Sequence, residues 1–146
     1  MRRPLSAAFA LFALPFLAGC PSNEALCKSG ADQVCERLHE ASCRPIAEQG
    51  FGGSAQFQAV FGTDAANCKE LFYANPLRPR AQGLACSEVD TDQQLCTNLG
   101  QPNATTFDLG KAQECRDARA ALSCQEFVAQ LSPTGSPPAS CAERCK

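Results

Sequence analysis

Cysteine limits what this chain can become more than any other residue type. There are 11 in 146 residues. One of them, Cys20, closes an apolar N-terminal stretch. The other ten are Cys27, Cys35, Cys43, Cys68, Cys86, Cys96, Cys115, Cys124, Cys141 and Cys145. With Cys20 set apart the count is even, as a closed disulfide framework requires. No two cysteines form a C-x-x-C unit, which argues against a thioredoxin-like redox site, c-type haem attachment and a zinc ribbon. Five bridges are expected. Ten cysteines permit roughly 945 pairings, so the connectivity stays open.

The N-terminus explains why Cys20 stands apart. Arg2 and Arg3 form a basic n-region, and Leu5 to Ala18 is almost wholly apolar. Such a run is too short for a membrane span, which needs about 20 apolar residues, and Pro15 would interrupt one. It reads as a secretory signal peptide. The rest of a twin-arginine export motif does not follow Arg3. The stretch ends in Leu17-Ala18-Gly19-Cys20, which resembles the lipobox of bacterial lipoproteins. That resemblance implies cleavage between Gly19 and Cys20 and a covalent lipid on the Cys20 sulfur, whose thiolate is the nucleophile that accepts it. Pro21, where some sorting systems read an Asp, implies by the same resemblance delivery to the outer membrane. The boundaries expected are 1–19 for the signal peptide, 20–26 for the lipidated cysteine and a short tether, and 27–146 for a cysteine-rich domain. A six-residue tether from Pro21 to Leu26 reaches about 20 Å when extended.

Composition then sets the fold class. From Cys20 onward, Leu, Val, Ile and Phe make up 21 of 127 residues. That is below the roughly 20% of a comfortably globular chain, so the disulfides must supply what a thin core lacks. Val, Ile and Thr total 11 of those residues and alanine 19, which favours helices over strands. The expected fold is all-α: a small disulfide-stapled helical domain of about four to five helices. One helix is placed at Ala31 to Cys43 with Ser29 as N-cap. A second spans Ser54 to Phe61. A third follows Thr63 or Asp64 and stops at Asn75-Pro76. Thr91-x-x-Gln94 is a capping box that opens a short helix ending at Gly100. The longest helix is expected from Asp108 to Leu131. Residues 76–84 read as an exposed loop, and Ser132 to Pro138 as a linker that returns the chain for a last turn.

Helix geometry restricts the bridges. Cys115 and Cys124, nine residues apart, would point about 180° away from each other and bond different partners. Cys141 and Cys145 would share a face, and one of them is expected to pair with Cys124.

Little in the sequence points to catalysis. His39 is the only histidine. The spacing of Cys35, His39 and Cys43 would put all three on one helix face, a soft-metal alternative. The preferred reading is a surface histidine between two disulfide-bonded cysteines. No G-x-S-x-G is present. Gly50 to Ser54 lacks the lysine of a phosphate-binding loop and reads as a turn. Glu88, Asp90 and Asp92 sit where acidic residues favour a helix start. Arg78-Pro79-Arg80 is a small basic loop, and contact with lipid phosphates is its sharper alternative. Net charge is −2, which gives no indication of a nucleic-acid partner.

The expected function is therefore non-catalytic: an interaction or structural module of the cell envelope. It is held at the membrane by the lipid on Cys20, has no other cofactor, and meets an envelope protein or a surface ligand. Two alternatives stay open. One is a thiolate-based metal-binding or metal-storage protein. The other is an envelope enzyme without a recognisable motif.

Overall fold

The computed structural model describes residues 20–132 and 134–146. Segment 1–19, expected to be a signal peptide, lies outside the described residues. Eight α-helices are found among those described: α1 (Asn23–His39), α2 (Arg44–Gly50), α3 (Ser54–Phe61), α4 (Ala65–Ala74), α5 (Asp92–Asn98), α6 (Leu109–Ala120), α7 (Cys124–Leu131) and α8 (Ala139–Ala142). A 3-10 turn covers Cys86–Glu88. There is no strand among the described residues, only an isolated antiparallel bridge between Phe107 and Cys145. The all-α, disulfide-rich class is as expected. The helix number is higher than four to five.

The longest helix is α1, around which the others are arranged. Cys27, Ala31, Val34, Cys35 and Leu38 are buried on it, at the spacing of one helix face. The helix begins earlier than Ser29: Ser22 is the N-cap, its hydroxyl accepting from the Ala25 amide at 3.2 Å. Ser29 and Gly30 lie inside the helix. The expected tether thus shrinks, because 23–26 are already helical and only Pro21 and Ser22 separate Cys20 from α1. The helix also stops sooner than Cys43. Glu40 leaves the helical backbone, Arg37 pairs with its carboxylate at 2.7 Å, and the chain turns through Cys43 into α2. Pro45 sits in the first turn of α2, where its missing N–H costs nothing.

The helices expected at 54–61, after Asp64 and after Thr91 form as read. Gly62 closes α3 with φ of 75°, and a Cβ there would lie 2.9 Å from the Cys68 amide nitrogen. Only glycine fits both conditions. Asp64 caps α4 by accepting from the Asn67 amide at 2.9 Å. Lys69 on α4 reaches Glu36 on α1 at 2.6 Å, and the Tyr73 hydroxyl donates to Asp32. These contacts join the most extensively packed helix pair, α1 and α4.

The single helix expected from Asp108 to Leu131 is in fact two. The break is a second capping box. Ser123 is extended, its hydroxyl accepts from the Glu126 amide at 3.3 Å, and the Glu126 carboxylate accepts from the Ser123 amide at 2.8 Å. Leu122 turns the corner between α6 and α7.

The largest buried cluster joins the C-terminal half of α1 to α2, α3, α4 and α7. Phe57, Phe61, Phe72 and Phe127 form its bulk, and Phe61 contacts the Phe51, Phe57 and Phe72 rings at centroid distances of 4.6, 5.3 and 5.8 Å. Gly50 lets α2 approach α7, since a Cβ there would meet Val128 Cγ1 at 2.6 Å. A smaller cluster holds Cys27, Cys86, Val89 and Leu95. The third, at the C-terminus, holds only Cys96, Ala104 and Cys145.

Candidate functional site

The ten cysteines from Cys27 onward close five disulfides: Cys27–Cys86, Cys35–Cys68, Cys43–Cys124, Cys96–Cys145 and Cys115–Cys141. Cys115 and Cys124 have different partners, as expected. The underlying geometry is corrected, because they lie on separate helices and not on opposite sides of one. The expected pairing of Cys141 or Cys145 with Cys124 is also corrected. Cys124 opens α7, which packs on α2, so its neighbour is Cys43. The tail does fold back, but onto α6 and the end of α5: Cys141 reaches Cys115, and Cys145 reaches Cys96.

The soft-metal alternative of Cys35, His39 and Cys43 does not assemble. Cys35 is bonded to Cys68 and Cys43 to Cys124, so neither sulfur is a thiolate. His39 ends α1, which takes Cys43 off its face. Its Nε2 lies 3.0 Å from the Phe61 carbonyl, and its ring packs on Phe57 at 5.3 Å. No group of three His, Cys, Asp or Glu is placed to hold a metal among the described residues.

The acidic residues near 90 serve the backbone. Glu88 accepts from the Ala85 amide at 3.2 Å, and Asp92 from the Phe107 amide at 3.0 Å. Gly52 and Gly53 both have positive φ between α2 and α3, a turn as expected.

Cys20 is exposed and its sulfur is free. It lies at the edge of a groove lined also by Leu26, Asp90, Phe107 and Leu109. Asn23 fixes the start of α1 against this region by donating to the Asp90 carbonyl at 3.1 Å. Leu109 is one of the few exposed large apolar side chains, at 43%.

A second cavity, of about 200 Å³, lies between α1, the 76–80 loop, α5, α6 and the C-terminal tail. Ala31, Val34, Phe61, Phe72, Leu95 and Leu131 contribute apolar walls. Four arginines, Arg78, Arg80, Arg119 and Arg144, also line it, and no Asp or Glu does. The basic loop is thus only partly exposed. Arg78 is half-buried and donates to the carbonyls of Ala59 and Val60 at 2.8 and 3.0 Å, satisfying the end of α3. Arg80 donates to the carbonyls of Gln130 and Ser132 at 3.1 and 2.7 Å. Arg119 and Arg144 are less well provided for. Burial lowers the pKa of Arg119, with a further lowering from nearby Arg80. Burial, and then Arg119, push that of Arg144 down to about 10. Neither joins an ion pair among the described residues.

Sequence reading did not find this arginine pair. Arg119 follows Cys115 by one helical turn, and Arg144 follows Cys141 by three residues. The Cys115–Cys141 bond joins the two segments, and both arginines line the one cavity. Without the connectivity, nothing links residues 119 and 144.

No protein-family model matches the chain, and neither do the curated proteins or the solved structures compared with it. Fold and cavity define it as an all-helical, disulfide-stapled domain with a cationic, apolar-walled cavity. No helix among the described residues is long and apolar enough to cross a membrane.

Proposed function

We propose that the chain is a lipid-anchored protein of the bacterial cell envelope, working there as a non-catalytic binding module. The signal peptide is removed after Gly19, Cys20 carries the lipid, and the resemblance to lipoproteins favours the outer membrane. One observation carries this reading. Ten of the eleven cysteines are closed in pairs, and the one left free and exposed is the lipobox cysteine. Structural disulfides persist in exported proteins, which agrees with the same address. Two or more acyl chains on Cys20 would give a stable anchor, where one would not.

With two residues between Cys20 and α1, the domain stands about 10 Å or less from its anchor point. A scaffold cross-linked five times presents its surface at low entropic cost on binding. Metabolic labelling with a radioactive fatty acid tests the anchor. The chain is expected to take up label and to partition with membranes, and Cys20→Ser is expected to abolish both. Undiminished label on Cys20→Ser would overturn the assignment.

A further inference from the structure

Buried guanidinium groups are ordinarily matched by carboxylates, because desolvating a charge without a counter-ion is strongly unfavourable. Arg119 and Arg144, both half-buried, depart from that pattern together. Both line the same cavity, and no Asp or Glu lines it with them. The Nε of each is buried without a hydrogen-bond partner. Arg144 Nη1 reaches only the Cys115 sulfur, at 3.6 Å. Arg78 and Arg80, which also line the cavity, have their donors partly occupied by main-chain carbonyls but keep their charge.

Much of the remaining lining is an apolar wall. Ala31 and Val34 of α1, Phe61, Phe72, Leu95 and Leu131 are apolar and offer an anion no hydrogen bond from their side chains. A small inorganic anion would satisfy the arginines and leave this wall against water. A neutral apolar molecule would do the reverse. An organic anion satisfies both.

We propose that this cavity binds a small amphiphilic carboxylate, its acid group held between Arg119 and Arg144 and its apolar body against the α1 and phenylalanine wall. The planar guanidinium forks suit a carboxylate, which can accept two parallel hydrogen bonds from each. The size also fits: a cavity of roughly 150 Å³ lined by apolar side chains accepts benzene, and this one measures about 200 Å³. The Cys115–Cys141 bond is part of the site, because it fixes α6, which carries Arg119, to α8, which Arg144 follows by two residues. The proposal does not depend on lipidation of Cys20.

Calorimetric titration of the oxidised full chain in a neutral detergent tests it, with detergent alone as blank. Sodium benzoate is the probe. Benzyl alcohol keeps the body without the charge, and inorganic phosphate keeps the charge without the body. Benzoate is expected to bind one per chain, about tenfold or more tighter than either control. Arg119→Gln and Arg144→Gln are each expected to weaken benzoate about tenfold or more. Both variants should fold, since each removes a half-buried cation with no carboxylate partner, and Arg119→Gln is expected to raise the Tm of the ligand-free chain. Absence of saturable benzoate binding would overturn the proposal. So would benzoate binding unchanged in both variants, or phosphate binding as tightly as benzoate.

Discussion

The two ends of the molecule are held together by different means. At one end α2, α3, α4 and α7 enclose a phenylalanine cluster against α1. From its eight residues, α3 buries both Phe57 and Phe61. At the other end α6 has twelve residues and buries only Cys115. Its main partner is α8, a single turn whose buried residue is Cys141. Side chains make the core at the first end, and the disulfides Cys43–Cys124 and Cys35–Cys68 add to it. At the second end the sulfurs of Cys96, Cys115, Cys141 and Cys145 are most of what is buried, and the disulfide is itself the core. A chain poor in bulky apolar residues has placed them unevenly, and the cysteines complete the end they leave thin.

The largest expected effect lies in the aromatic end. Phe61 is 1% exposed and touches three other phenylalanine rings. Phe61→Ala should cost about 3–5 kcal/mol, read from chemical denaturation of the oxidised protein. Loss of stability well below that range would mean the disulfides, and not the rings, hold this end, and the contrast between the two ends would fail.

The next effect belongs to the thin end. The Cys115–Cys141 bond closes a loop of 26 residues, for which the chain-entropy relation gives about 3.5 kcal/mol. Replacing both cysteines by alanine should cost up to that amount, and the loss should be local. Hydrogen exchange is expected to show α6 and α8 losing protection while α3 and α4 keep theirs. Equal loss of protection in all four helices would break the comparison, because the two ends would then unfold as one unit.

These differences also decide how much was legible beforehand. Helices with a capping residue and an apolar face, such as α3, α4 and α5, could be placed from sequence because local signals and packing agree. The corner at Ser123 was legible in principle. Ser123-x-x-Glu126 is the same kind of signal as Thr91-x-x-Gln94, but the apolar stripe running through residues 115–131 hid it. α2 has seven residues and buries only Ala47, so no periodic pattern could announce it. Connectivity was not legible, because pairing depends on where α7 and the tail dock. The arginine cavity depends on that pairing in turn: Arg119 and Arg144 line one cavity where a bond between residues 26 apart joins their segments. That Cys20 stands apart from the other ten was legible, because an odd count leaves one sulfur over and the contiguous stretch before Cys20 marks which one.

The smallest expected effect compares the helix starts of the two ends as pH falls. Asp64 caps α4 at the aromatic end, and Asp108 caps α6 at the thin end by accepting from the Lys111 amide at 3.0 Å. The pKa of each carboxyl is lowered, chiefly by that main-chain hydrogen bond. Lys146, 3.5 Å from Asp108, adds to the effect there. A carboxyl with a lower pKa in the folded chain is protonated more readily in the unfolded one. Its stabilisation is complete above the ordinary value of 3.8 and is lost as pH falls through the folded value. Protection of both helices should therefore be constant near neutrality and weaken below about pH 4. The weakening should be greater in α6, which has little else to hold it, than in α4, which is anchored by Phe72 and Cys68. Asp108→Asn keeps a good capping side chain and removes the titration. It should flatten the acid response of α6 amides in hydrogen exchange and leave that of α4 unchanged. A matching change in α4 would show that the caps report on one cooperative domain, and the thin end would not be separable from the aromatic one.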